Sequence, residues 1–290
     1  MRYTEIILRS GDEAMAKKRR KTNKRYGTQL GGIIAIIFAA ALYLYRGGYL
    51  DEWVHPQEGV QISAQTTSDN QLDKKAYAAL AKLNFASGDK PIVQVNNGKS
   101  TLSSVAWKTE RIDYGNLDHL NRTTTDTAYL SRKNLGKSDG RPSQDWTPTG
   151  WHYNHGSVDI YNRGHLIAYT LTFNINQDGQ YEQGAEGSSD NPKNLGTQSA
   201  YSNQVLMQIY EGKVRSALAS GKKMIYQVTT VFRGDELMPR GYWLQGLATD
   251  SSVNFNVYIF NVQPGYQFNY ANGSSSRASG MHVDESDLEN

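Results

Sequence analysis

Chemistry in this chain has to come from histidine, carboxylate, amide and guanidinium groups, because the sequence contains no cysteine. That excludes a disulfide scaffold, a thiolate zinc site and a cysteine nucleophile together. The six histidines are His55, His119, His152, His155, His165 and His282, and none forms a His-x-x-x-His pair. His152 and His155 are three apart, but Gly150 and Gly156 disfavour a helix there, so a catalytic zinc site has little support. His165 has a different setting, Tyr161-Asn162-Arg163-Gly164-His165-Leu166. A strand-like run delivers it, Gly164 allows close backbone approach, and Arg163 could grip a phosphate oxygen. A neutral imidazole is the natural base for taking a proton from water near pH 7. Beside that reading stands a plainer one, a histidine next to an arginine with both satisfied structurally.

A second cluster lies downstream. Asn191-Pro192-Lys193-Asn194 precedes Gln198 to Gln204, and then Glu211-Gly212-Lys213-Val214-Arg215. Asparagine is not favoured in mid-helix, so Asn203 asks for a reason. Its amide oxygen would suit a hard cation such as Mg²⁺, which keeps most of its waters and takes substrate phosphate as a further ligand. Glu211 could hold a metal-bound water, and Arg215 could face phosphate charge. The alternative is an exposed Glu211–Arg215 i,i+4 ion pair with Asn203 on a wet face.

Together these motifs resemble the DNA/RNA non-specific endonucleases with a ββα-metal, or His-Me finger, site. Asn-Arg-Gly-His at 162–165 is similar to that family's Asp/Asn-Arg-Gly-His motif. The Asn-Pro-Lys-Asn, Gln-x4-Asn and Tyr-Glu-x-Lys-Val-Arg segments look closer still to the membrane-bound DNA-entry nuclease and secreted DNases of streptococci. The resemblance spans roughly residues 90–265 and implies an α+β fold: a ββα-metal core with a mainly antiparallel sheet flanked by helices. It implies His165 as the general base and Asn203 as the direct Mg²⁺ ligand, with Mn²⁺ an alternative. It implies Asn194 as a second active-site amide orienting the metal waters, and Glu211 as their anchor. Arg163 and Arg215 become catalytic groups that bind substrate at the scissile phosphate. The implied reaction is hydrolysis of DNA, and of RNA, leaving 5′-phosphate ends. Two features depart from easy expectation. Position 162 is Asn where the family more often has Asp. Asn203 and Glu211 are eight apart, which on an unbroken helix puts them about 12 Å apart along the axis and about 80° apart around it. Competing classes are a non-catalytic surface receptor that binds DNA for uptake and a secreted toxin domain. A serine hydrolase lacks its Gly-x-Ser-x-Gly elbow.

The elements that must position these residues follow from pattern. Ile92–Val95 and Leu102–Trp107 read as strands split by an Asn96-Asn97-Gly98 hairpin-type turn. Leu117–Leu135 reads as a loop with one helical turn, and Asp139–Gly150 is turn-rich. Val158–Tyr161 and Leu166–Phe173 read as strands, or as a strand entering a helix. Ser199–Ser220 has helical spacing of apolar residues closed by Gly221. Met224–Phe232, Tyr242–Leu247 and Phe255–Val262 alternate like strands.

Charge then explains the ends. The chain carries 31 Lys+Arg and 28 Asp+Glu, a net +3. Residues 1–50 alone are +7, residues 51–290 are −4, and residues 51–270 are about −1. Bulk charge is therefore no argument for nucleic-acid binding. The basic excess sits before an uncharged run, 26–45, long enough for the roughly 30 Å hydrocarbon core. The expected organisation is a basic cytoplasmic segment (1–25), a transmembrane signal-anchor (26–45), a tether (46–90), the endonuclease domain (91–270) and a disordered acidic tail (271–290). The positive-inside rule puts the catalytic domain outside the cell. The alternative is secretion after signal cleavage near Ala39-Ala40-Ala41. DNA uptake, nutrient scavenging and escape from extracellular DNA traps all stay open as roles, with the uptake machinery a partner in the first.

Overall fold

Six strands make one antiparallel sheet in the order β1-β8-β7-β6-β3-β2. They are β1 (Ile92–Gln94), β2 (Arg111–Tyr114), β3 (Thr125–Leu130), β6 (Met224–Val231), β7 (Gly241–Ala248) and β8 (Asn254–Phe260). The computed structural model describes residues 62–65, 70–154 and 158–288. The basic segment, the anchor at 26–45 and the tether before residue 62 lie outside them. Among the described residues, no helix is long and apolar enough to cross a membrane.

β6, β7 and β8 form where alternation and β-branched or aromatic content predict them, and β6 and β7 are buried along their whole length. Their inner faces carry Tyr226, Val228, Tyr242, Leu244, Val257 and Ile259 into one core. Burying a side chain of that size is worth about 1.5–3 kcal/mol. Two short helices and a smaller strand pair join the same body. Helix α1 (Lys74–Ala81) is capped by Asp73, whose Oδ1 accepts from the amides of Lys75 and Ala76 at 2.9 and 3.0 Å. It buries Ala76 and Leu80 in the core.

The strand pair positions the site. β4 (Tyr161–His165) runs antiparallel to β5 (Leu195–Ser199), with Gly164 opposite Gly196 and His165 opposite Leu195. The chain leaves β5 directly into a helix that starts at Ala200. Ser199 Oγ accepts from Ser202 N (3.0 Å), and Gln263 Oε1 accepts from Tyr201 N (2.9 Å), so the first helical amides are satisfied. This helix opens with a π-helical stretch, Ser202–Met207, and continues as α2 (Gln208–Ala219). It ends as Gly221 predicts: Gly221 has φ +86°, its N–H donates to Leu218 O, and Lys222 N–H donates to Ala217 O. Tyr210, Val214, Ala217 and Leu218 seat α2 on the core, with Tyr210 against Phe255 at 5.0 Å between ring centroids. β4, β5 and this helix are a ββα unit on a mainly antiparallel fold.

Four expectations change. Leu102–Trp107 is no strand but a loop with a 3₁₀ turn at Ser104–Ala106, tied down by Gln245 Oε1 accepting from Thr101 N (2.9 Å). Asn96-Asn97-Gly98 is a left-handed turn, with φ of +51°, +55° and +72°, yet it closes no hairpin, since β1 pairs with β8. β3 is a strand inside the expected loop. Its polar Asp126 and Thr127 hide the alternation, and they are buried because Gly115 N donates to Asp126 Oδ1 (3.0 Å) and Gln227 Nε2 to Thr127 Oγ1 (2.9 Å). The fourth concerns both ends of the domain. Ile62 is already buried and bridges Val95, so the expected tether is folded from there wherever it is described, α1 included. The expected disordered tail is ordered as far as residue 288. β9 (Tyr266–Asn269) and β10 (Ser274–Arg277) pair, and Gly273 O accepts from the Tyr161 hydroxyl (2.8 Å). Lys90 and Asp287 form an ion pair at 2.6 Å.

Deleting residues 273–290 therefore removes a strand and a buried hydroxyl's acceptor beside β4. The melting temperature should fall by several degrees, at about 2–4 °C per kcal/mol for a domain of this size. An unchanged melting curve would return these residues to the status of a tail.

Candidate active site

His165 sits at the end of β4, only 7% exposed, with both ring nitrogens engaged. Nε2 lies 2.9 Å from the carbonyl oxygen of Ser189, and Nδ1 lies 3.3 Å from an NH2 of Arg141. A carbonyl only accepts, so Nε2 carries the proton and Nδ1 the lone pair. Burial, and then the Arg141 charge, push the imidazole down to about 4, against smaller opposing pulls from the backbone of Ser189 and Ser188 and from Asp190. At neutral pH it is an uncharged base aimed through Nδ1.

A Cβ at Gly164 would run into the buried Gln198 side chain, not only its terminal Oε1 but also its Cβ at 2.9 Å, so glycine is what fits there. The close approach of β4 to β5 that the sequence suggested is thus real. Asn194 has a different part from the one expected. Fully buried, it accepts from Ile167 N (2.8 Å) and donates to Ile167 O (3.0 Å), and its own carbonyl accepts from Leu166 N (2.9 Å). Its amide binds the chain just after His165, and Asn194 does not line the cleft. Asn194 is a positioning residue.

Asn203 donates its Nδ2 to Asn162 Oδ1 at 2.9 Å, and Gln204 Nε2 reaches the same oxygen at 3.0 Å. With its nitrogen held, the Asn203 amide is oriented, and its Oδ1 has no hydrogen bond from the described residues. The Asn/Asp ambiguity at position 162 is explained by the same bonds. The position is needed as an acceptor through one oxygen, which either side chain provides.

Glu211 shares a cleft of about 540 Å³ with His165, Arg163, Asn203, Arg215 and Arg141. The awkward spacing from Asn203 is removed by the π-helical stretch. A π-bulge accommodates one extra residue, so eight positions turn like seven, about 700°, which is only about 20° short of two full turns. Both side chains then face the same way. Glu211 is 9% exposed, and burial pushes its carboxyl up to about 7 even though Arg215, 3.4 Å away, pulls it down. Glu211 and Arg215 do form the i,i+4 ion pair, but Glu211 is buried rather than exposed, and both side chains line the cleft. Arg163 lines the cleft, but its NH1 donates to Gln144 O (2.6 Å) and its guanidinium carbon lies 5.0 Å from the Trp151 ring centroid.

Among the described residues no group of three or more His, Cys, Asp or Glu could hold a metal. The oxygen donors that line the cleft include the Asn203 amide and the buried Glu211 carboxylate. That set fits a hard cation that retains most of its waters and leaves room for phosphate. The sequence reading missed Arg141, Gln144 and Ser189. Ser189 acts through its carbonyl, which no side-chain pattern can reveal, and the other two lie in a stretch legible only as turns.

The buried neutral imidazole has a consequence for stability. Between pH 6.5 and 4 the unfolded chain binds a proton that folded His165 refuses, so stability falls as pH drops through that window. In metal-free protein, His165→Gln should gain on the wild type in melting temperature from pH 6.5 down to about 4, with a constant difference below. A difference independent of pH would contradict the buried neutral ring.

Known nucleases are similar to this chain. The crystal structure of NucA from Streptococcus agalactiae with magnesium bound is 28% identical, with a TM-score of 0.57 over 67% of this chain and 89% of that one. The metal-free form of NucA is 27% identical, with a TM-score of 0.57 over 73% of this chain and 99% of that one. The zinc-bound Sda1 nuclease is 21% identical over 58% of this chain and 80% of that one, with a TM-score of 0.45. A sequence model of the DNA/RNA non-specific endonucleases matches residues 100–247, half of the chain. The chain belongs to the DNA/RNA non-specific endonuclease family and is a hydrolytic nuclease.

Proposed function

We propose that this nuclease is a Mg²⁺-dependent, sequence-non-specific endonuclease that cleaves DNA, and also RNA, outside the cell and leaves 5′-phosphate ends. The observation that carries the reading is the shared cleft, where a neutral His165 with its Nδ1 lone pair lies with an oriented Asn203 amide and a buried Glu211. The magnesium-bound NucA supports the choice of metal, and Mn²⁺, another oxygen-preferring ion, should substitute.

His165 Nδ1 takes a proton from water while the water oxygen bonds to phosphorus and the bond to the 3′ oxygen breaks. The Ser189 carbonyl holds Nε2–H and stabilises the imidazolium that forms. Arg215 stands at the cleft to meet negative charge on the phosphoryl oxygens. Asn203 would hold Mg²⁺ directly and Glu211 through water. When bound, the ion supplies positive charge for the phosphoryl and leaving oxygens and favours the ionised form of Glu211. Recognition through phosphate leaves little sequence selectivity and weakens with salt. Extracellular action rests on the basic run 17–25 preceding the apolar span 26–45.

The test is a supercoiled plasmid incubated with the full-length chain in Mg²⁺, Mn²⁺ or EDTA. Nicking and linearisation should appear with either metal and vanish in EDTA, and His165→Ala should lose about 10²–10⁴-fold. Cleavage that is unaffected by EDTA or by His165→Ala would overturn the scheme.

Position 162 gives a finer test. Asn162→Asp keeps an acceptor for Asn203 and should stay within about threefold of wild type, whereas Asn162→Ala should lose about 10–100-fold, with a higher Mg²⁺ requirement. Equal loss in both variants would mean that Asn162 does not orient the Asn203 amide.

A further inference from the structure

A neutral imidazole whose Nε2–H is bound to a carbonyl has a single remaining lone pair, on Nδ1. In this structure that lone pair is not open to water, because the Arg141 guanidinium donates to it from 3.3 Å. A water cannot be activated while Arg141 stays there. Arg141 therefore has to leave before the first proton transfer, and something must draw it away.

Its setting allows that. Arg141 closes an exposed turn, with its N–H donating to Ser138 O (3.2 Å) and Gly140 at φ +74°. The flanks of the turn are pinned. Gly136 N donates to Thr170 O (3.0 Å), Ser189 Oγ to Pro142 O (2.8 Å), and Trp146 N binds Asp190 Oδ1 (2.9 Å). The tip can move while its base is held. Among the described residues, the Arg141 side chain meets, apart from His165, only the face of Tyr169, 5.6 Å from guanidinium carbon to ring centroid. It has no carboxylate partner among the described residues, unlike Arg215 with Glu211 or Arg122 with Asp118. A guanidinium without a counter-ion among the described residues, bordering a cleft that takes phosphodiesters, will exchange a neutral nitrogen acceptor for an anionic oxygen, because the phosphate adds charge–charge attraction and can be gripped by two parallel N–H bonds.

We infer that Arg141 covers the His165 base in the free enzyme and is drawn off by a backbone phosphate of the nucleic acid, so that substrate binding uncovers Nδ1. Arg141 then grips the phosphate while water takes its place on the ring. The same movement removes the cation that depresses the ring's basicity. The arrangement keeps the base capped between substrates and makes Arg141 the mobile phosphate ligand, a part Arg163 is poorly placed to play with its NH1 on Gln144.

This inference rests on the nuclease reading for its substrate, but its test does not need cleavage. His165 is followed by NMR in ¹⁵N-histidine-labelled full-length protein, metal-free and DNA-free, as wild type, Arg141→Gln and Arg141→Lys. The other charges around the cleft and the ring are Lys137, Asp139, Arg163, Asp190, Glu211 and Arg215, and all are unchanged in these variants. Arg141→Gln should raise the His165 titration midpoint by about one unit, and Arg141→Lys by less. In parallel, binding of a fluorescent 12-mer DNA in EDTA is read by anisotropy. Arg141→Gln should weaken it about tenfold or more, with partial recovery in Arg141→Lys. An unmoved midpoint would show that Arg141 does not cover the base, and unchanged DNA affinity would show that it is not a phosphate ligand. Either result overturns the inference. Failure of the wild type to cleave with Mg²⁺ would instead overturn the nuclease scheme, leaving both readouts interpretable.

Discussion

The hydrogen bond from His165 Nε2–H to the Ser189 carbonyl, 2.9 Å long, is the constraint on which the site depends. It fixes which nitrogen holds the proton, which way the ring faces, and hence where a water must stand to be deprotonated. Most of the surrounding structure holds the two ends of this bond in place. On the His165 side, Gly164 lets β4 lie against Gln198, and Asn194 binds the backbone of Leu166 and Ile167. On the Ser189 side, the hydroxyl is tied to Pro142 O, and the carbonyl takes a second, longer bond from Gln144 Nε2 at 3.3 Å. The large sheet bears on the chemistry only indirectly, by giving β5 and α2 a rigid surface to pack on.

The helix after β5 contributes the second half of the site, and its irregularity has a function. An unbroken α-helix would turn Glu211 away from Asn203 by about 80°. The π-helical stretch at Ser202–Met207 removes that offset, so an amide and a carboxylate two turns apart serve one cleft. Asn162 on β4 then orients the Asn203 amide. Strand and helix are thereby joined by the same contact that orients the Asn203 amide oxygen.

How much of this was legible in the sequence follows from what kind of atom does each job. His165, Asn203, Glu211 and Arg215 carry side chains of distinctive chemistry in ordered motifs, and each lines the cleft. Asn194 was recognisable as important but not in what it does, because a motif marks a position and not the partner of its amide. Ser189 acts through a carbonyl and Arg141 from a turn, so neither left a signal. The strands β6 to β8 follow from alternation, whereas β3 was hidden by buried Asp126 and Thr127, whose partners come from elsewhere in the chain. The ordering of residues 271–288 was missed because serine-rich, acidic composition speaks of solvation, while the order comes from one strand pairing and a few specific bonds.

The central claim is that His165 is a neutral base presenting Nδ1 to the cleft. The most direct measurement is the ¹⁵N spectrum of the His165 ring at pH 7 in the intact protein. The account predicts one protonated nitrogen, Nε2, and an unprotonated Nδ1 shifted as a hydrogen-bond acceptor. An imidazolium, or a neutral ring with its proton on Nδ1, would contradict it.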